Sequence, residues 1–168
     1  MPKRVLVIGL CAVLVALGSH TANSQESQGT KVGISASVQT TQFDILVPIW
    51  TSDRFSIAPA FGFVWVEEGG TDFRFALVPR FFFRKDKVAP YLGLKAGVLI
   101  ASPEIGESAT DGIFGAAFGG EFFLDDHFSF GTEAQLNLTT SSEKSARFGN
   151  PGRKNLNTAA AIYATVYF

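Results

Sequence analysis

Hydrophobic and polar residues alternate with a period of two along most of this chain. Val32, Ile34, Ala36 and Val38 alternate with Gly33, Ser35, Ser37 and Gln39. Phe43 to Trp50 is more apolar, with Asp44 its only charge. In Phe55 to Val66, Ile57, Phe61, Phe63 and Trp65 oppose Ser56, Ala58, Ala60, Gly62 and Val64. Phe73, Phe75, Leu77, Phe81 and Phe83 then alternate with Arg74, Ala76, Val78, Arg80, Phe82 and Arg84. Three more segments follow over 88–101, 112–124 and 128–138, and the last runs from Leu156 to Phe168. Successive side chains of an extended chain point to opposite faces, so each segment is a strand with two unlike faces. Turn-forming runs separate them, such as Thr51-Ser52-Asp53-Arg54, Glu67-Glu68-Gly69-Gly70 and Asp125-Asp126-His127. The pattern predicts an all-β fold, an eight-stranded antiparallel up-and-down transmembrane β-barrel in which the last strand closes on the first.

Face composition decides which side is outside. One face of every strand carries Phe, Leu, Ile, Val or Trp. The other carries mostly Gly, Ala and Ser, with a few charges. A soluble barrel would cover its outer face with Lys, Glu and Asp. Here an apolar belt in water would be an aggregation hazard, whereas facing lipid it is required. Small residues beside a few large ones fill the narrow lumen of an eight-stranded barrel. Trp50, Trp65, Phe73, Phe83 and Phe168, near strand ends, are expected in the aromatic belts at the membrane interfaces. With both ends of the barrel in the periplasm, short turns fall at 51–54, 84–87 and 125–127. Longer outer loops fall at 67–72, 102–111 and 139–155, with a short one around Thr40 to Phe43.

The first residues read as an address. Lys3 and Arg4 precede an apolar run, Val5 to Leu17, and Ala22-Asn23-Ser24 fits a small-x-small cleavage site. The run is short of the roughly 20 residues a spanning helix needs. Residues 1–24 are expected to be a signal peptide and 25–168 one outer-membrane barrel domain. The single cysteine, Cys11, would leave with the signal, so no disulfide stabilises the mature chain. The net charge of −1 points to no nucleic-acid partner. His20 would also be removed and His127 stands alone, so no metal or other cofactor is expected.

The alternating strands, the signal, the terminal Phe168 and the Pro90-Tyr91-Leu92-Gly93 segment together resemble the small eight-stranded outer-membrane barrels that include OmpX and the OmpA membrane domain. The resemblance is specific for architecture. It implies a cell outer membrane location in a Gram-negative bacterium and a porin-like barrel with a role in envelope integrity, adhesion or immune evasion. It also implies that Phe168 is the assembly signal read by the outer-membrane assembly machinery. No peptidoglycan-binding domain is expected after the barrel, so wall anchoring of that kind is not implied.

Candidate chemistry is sparse. Arg74, Arg80, Lys95, Glu121, Glu133 and Asp44 fall on inward positions. Counted from the periplasmic turns, all but Arg74 stand at similar heights. Paired carboxylates serve acid–base catalysis, but buried charges must in any case be paired, and a satisfied charge network filling the lumen is the expected reading. Glu121 and Glu133 are then expected within reach of Arg80 or Lys95. A narrow small-solute channel is the alternative. His127-Phe128-Ser129 and Asn150-Pro151-Gly152 resemble segments of the outer-membrane lipid A deacylases. Against that reading, His127 lies in a predicted periplasmic turn, Ser129 points inward, and Glu143 lies in a loop at the opposite end. No catalytic residue is assigned and no enzyme is expected.

The outer loops offer a binding surface. Loop 139–155 carries Lys144, Arg147, Arg153 and Lys154 against Glu143 alone, with Phe148 near its tip. Loop 102–111 carries Glu104, Glu107 and Asp111. The opposite charges either hold the loops together or leave Lys144, Arg147, Phe148, Arg153 and Lys154 to bind anionic partners. The expected partners are outer-membrane lipids and lipopolysaccharide, the assembly machinery and a host or surface ligand, bound by a monomer.

Overall fold

The computed structural model describes residues 31–39, 42–145 and 147–168. The signal and cleavage segments, with Cys11 and His20, and the loop residues Thr40 and Thr41 lie outside them.

The described chain is all strand and turn. In order the strands are β1 (Gly33–Gln39), β2 (Gln42–Leu46), β3 (Ile49–Ser52), β4 (Phe55–Val66), β5 (Gly70–Phe82), β6 (Val88–Ser102), β7 (Ala109–Phe123), β8 (Phe128–Thr140) and β9 (Lys154–Tyr167). Each pairs antiparallel with its neighbour, and β9 closes on β1 through Gly33↔Tyr167 to Val38↔Ile162. The result is a closed barrel of eight staves, because β2 and β3 are one stave. Both pair with β4 in a single register, Leu46↔Ala60 before the break and Ile49↔Ile57 after it. The break falls at Val47-Pro48, where proline has no N–H to give to the ladder. Pro48 still accepts a hydrogen bond from the Gly33 N–H at 2.9 Å, and Val47 donates to Pro59 at 2.9 Å. Pro79 leaves a similar gap in the β5–β6 ladder, between Leu77↔Ala96 and Arg80↔Gly93.

The barrel is turned inside out relative to a soluble protein. Phe63, Phe73, Phe75, Leu94, Phe114, Phe118 and Ile162 all face outward and are exposed. Ser35, Ser56, Arg80, Glu121, Ser129, Glu133 and Thr165 are buried in the lumen. Polar side chains can take that place because the lumen offers partners and the exterior, in a membrane, offers none.

Two expectations need correction. Trp50 does not join an interface belt. It is only 4% exposed and packs inside the barrel against Phe82, with ring centroids 4.5 Å apart. On its stave the inward positions are Asp44, Leu46, Pro48 and Trp50, so parity decides, not proximity to the strand end. Trp65, Phe73, Phe83 and Phe168 are exposed as expected. The outer loops are also shorter than the sequence predicts. Pairing carries on through Val66↔Gly70, Ala101↔Ala109 and Thr140↔Lys154.

Candidate functional site: a plugged lumen and a latched mouth

Two layers of side chains fill the lumen. The lower layer lies towards the rim that carries Lys31 and Phe168. Its centre is Arg80, 3% exposed, whose guanidinium stacks on Tyr91 at 4.9 Å and Tyr163 at 4.5 Å. Nη2 of Arg80 lies 3.1 Å from Oε2 of Glu133. The Tyr91 hydroxyl donates to the same oxygen at 2.6 Å, and Gln135 donates to the other. Asn137 donates to Gln135 at 3.2 Å. Below this, Trp50, Phe82, Ala89, Tyr91, Tyr163 and Tyr167 form one buried cluster. Two glycines make the room. A Cβ on Gly119 would sit 2.6 Å from the Tyr91 hydroxyl, and one on Gly131 would collide with the Tyr163 ring.

Glu121 departs from expectation. Its Oε1 accepts from Ser129 at 2.5 Å and from Tyr167 at 2.7 Å, and among the described residues no arginine or lysine forms an ion pair with it. Counting from turns placed it level with Arg80. Strands in a barrel tilt and stagger, so equal counts are not equal heights.

The second layer stands further out. Arg74 Nε lies 3.2 Å from Asp44 Oδ1. Lys95 faces the same space, a chamber of about 220 Å³ whose lining includes Gln39, Asp44, Arg74, Lys95 and Asn157, with Phe148 of the long outer loop over it. The six inward charges are thus brought into the lumen, but Asp44 and Lys95, expected level with Arg80, stand in the outer layer with Arg74.

The mouth is latched by ion pairs between loops. Arg147 makes two hydrogen bonds to Asp72, at 3.0 and 3.1 Å, and its Nε lies 3.5 Å from Asp111 Oδ2. Asp111, 1% exposed, also accepts from the Ser142 N–H at 2.8 Å and the Ser145 hydroxyl at 2.7 Å. Lys144 lies 2.8 Å from Glu107. Two of the four basic loop residues therefore hold the loops to one another. Arg153 and Lys154 are exposed. A further cleft of about 310 Å³ lies beside the latch, between Val66, Asp72, Pro103 and Arg147.

His127 and Ser129 do not form a nucleophile–base pair. His127 is exposed in the β7–β8 turn, while Ser129 is fully buried and donates to Glu121. That turn is tied by Asp125, whose Oδ1 accepts from the N–H groups of His127 at 2.7 Å and Phe128 at 2.8 Å. These two donors hold the Asp125 carboxyl below the usual aspartate range. Among the described residues no group of His, Cys, Asp and Glu is arranged to hold a metal ion.

Sequence reasoning found the charges and missed the aromatics that carry them. Tyr91, Tyr163, Tyr167, Phe82 and Trp50 all stand at inward positions, and Tyr91 and Tyr163 sit opposite glycines on the neighbouring strand. A large ring facing a glycine across a strand pair is the cue for a plug.

Two solved structures share this fold. One is the Neisserial surface protein A, similar at 13% identity with a TM-score of 0.55, over 83% of this chain and 94% of that one. The other is the N-terminal β-barrel domain of Pseudomonas aeruginosa OprF, at 10% identity and a TM-score of 0.55, over 83% of this chain and 96% of that one. Both are eight-stranded outer-membrane β-barrels. At these identities the likeness is one of fold. No protein-family model and no curated protein matches the sequence.

Proposed function

We propose that this protein is an outer-membrane β-barrel of a Gram-negative bacterium, with a structural or surface-interaction role, a closed interior and no catalysis. The observation that carries the reading is the Arg80 layer. A guanidinium stacked on two tyrosine rings and bonded to a carboxylate, all of them buried, occupies the lumen at that level. The apolar exterior supports the location, because hydrocarbon accepts such a belt and water does not. The export pattern of residues 1–24 supports it independently. A narrow channel remains the alternative, favoured only by the outer chamber. A deacylase loses support from the separation of His127 and Ser129.

Planar-bilayer recording tests the closed interior. Purified protein is expected to give no steady conductance, and reproducible single-channel steps would replace the plug with the channel. Membrane fractionation and heat-modifiable gel migration test the location, and recovery of mature protein in the soluble periplasm would refute it. Lipid A from cells carrying Ser129→Ala is expected to match wild type by mass spectrometry.

A further inference from the structure

The barrel wall is uneven in height. β1 and β2 form a short hairpin, while its neighbours β9 and β4 run on. Pairing of β9 with β1 stops at Ile162↔Val38, yet β9 continues outward to Lys154. Pairing of β4 with β2 stops at Ile45↔Phe61, yet β4 continues to Val66. Among the described residues, no strand pairs with either of these outer edges. They flank a notch above the hairpin. Inward residues beside it are correspondingly open, Val64 by 39% and Val66 by 55%, and Asn157 is exposed. Behind the notch lies the chamber of about 220 Å³.

An open backbone edge is not tolerated in hydrocarbon. The paired ends of β1 and β2, at Gln39 and Gln42, therefore set the outer limit of the hydrocarbon on that side, and the notch faces the head-group layer. Residues 31–39 and 42–52 suffice for the span, since a tilted strand crosses in about 9–11 residues.

One positive charge of the chamber, Lys95, has no direct partner among the described residues. Lys95 is within electrostatic reach of Asp44, Glu133, Arg74 and Arg80. Asp44 lies 3.2 Å from Arg74, and Glu133 is engaged by Arg80, Tyr91 and Gln135. Glu121 lies nearer the β7–β8 turn and is engaged by Ser129 and Tyr167, and Asp72 and Asp111 at the mouth are engaged by Arg147. Lys95 makes no hydrogen bond or contact ion pair with any described residue. A charge drawn away from water needs a partner. Gln39, Asn137 and Asn157 in the same wall add neutral polar groups. Outside, Arg153 and Lys154 stand exposed at the outer end of β9, beside the notch.

We infer that the outer chamber is a binding site for a phosphate or carboxylate group, admitted through the notch between β4 and β9, with Lys95 as its counter-charge. The inference rests on the membrane reading above, because that reading puts lipid head groups at the notch. Asn157 can donate to the anion's remaining oxygens once its amide turns towards it, while Asn137 already donates to Gln135. Arg153 and Lys154 raise the local anion concentration at the opening.

Calorimetric titration of the full chain, folded in zwitterionic detergent, tests this with two probes, inorganic phosphate and short-chain phosphatidylglycerol. Saturable binding of at least one is expected. Lys95→Met should weaken it tenfold or more, and so should Ala159→Phe, which fills the chamber without altering charge. Binding of inorganic phosphate identifies a free anion as sufficient, and binding of the lipid alone identifies a head group. No saturable binding of either, or binding unchanged in both variants, overturns the site. Heat-modifiable migration checks folding of each variant. Lys95→Met is expected to fold at least as well as wild type, since it removes an unpaired charge. Its failure to fold would make Lys95 the structural counter-ion of Asp44 and Glu133 and overturn the inference. Recovery from the soluble periplasm would instead sink the membrane reading and leave the detergent titration standing.

Discussion

Two buried glutamates in one lumen do different work, and their substitution should separate them. Removing Glu133 leaves Arg80 buried without its counter-charge. Breaking a buried pair in that way costs about 3–5 kcal/mol. Glu133→Ala should therefore lower the urea midpoint strongly in detergent or lipid. Glu121 is held by two neutral hydroxyls, those of Ser129 and Tyr167. Glu121→Ala orphans hydroxyl donors, a loss of about 1–3 kcal/mol, and its midpoint should fall less. Equal midpoints for the two variants would contradict this division. At the surface, Asp125 gives a pH signature. Its carboxyl lies below the ordinary aspartate range when folded, so its contribution is complete above that range. It fades as pH falls through the lowered value. The urea-midpoint gap between wild type and Asp125→Ala should be widest near neutrality and close in acid. A gap that grew with acidification would refute the assignment.

At the scale of the strand, proline and free edges set where the sheet is weak. Pro48 and Pro79 each interrupt a ladder, and Pro59 and Pro90 lie in the same half of the barrel. The sequence alone predicts faster amide exchange in that half than in the outer half. The unpaired outer edges of β4 and β9 change the expectation. Alternate amides of Lys154–Ala161 point to an edge with no partner strand among the described residues. They should exchange as fast as those flanking Pro48. Slow exchange in the outer half should be confined to β5, β6, β7 and β8, which are paired on both sides. Hydrogen exchange read residue by residue decides this, and uniform protection along β9 would show the edge to be covered.

For the whole molecule, the latch decides how the outer loops sit. Arg147 ties residues 141–153 to Asp72 and Asp111, and Phe148 lies over the chamber. The pair is partly exposed, so solvent screening discounts it to about 1–2 kcal/mol. Arg147→Gln should then raise the open population of the loop roughly 5- to 30-fold. Trypsin cleavage at Lys144, Arg153 and Lys154 in folded protein should accelerate accordingly, while the urea midpoint of the barrel stays close to wild type. An unchanged cleavage rate would mean that Lys144–Glu107 and the loop's own hydrogen bonds suffice.

The period-two pattern by itself determined the staves, their number and which face of each meets lipid. It could do so because a strand's two faces alternate without exception, and lipid and lumen demand opposite chemistry of them. Parity also put Arg74, Arg80, Lys95, Asp44, Glu121 and Glu133 in the lumen. Parity is blind to height, however. Tilt and stagger between strands separated charges that look level in the sequence and gave Glu133 to Arg80 but Glu121 to Ser129 and Tyr167. Tertiary structure alone decided that Trp50 joins the plug, that Gly119 and Gly131 make space for tyrosines, and that Arg147 spends its charge on Asp72 and Asp111. It alone exposed the notch, because a missing neighbour is a property of pairing between β9 and β1, and of β4 and β2, which no single strand's sequence records.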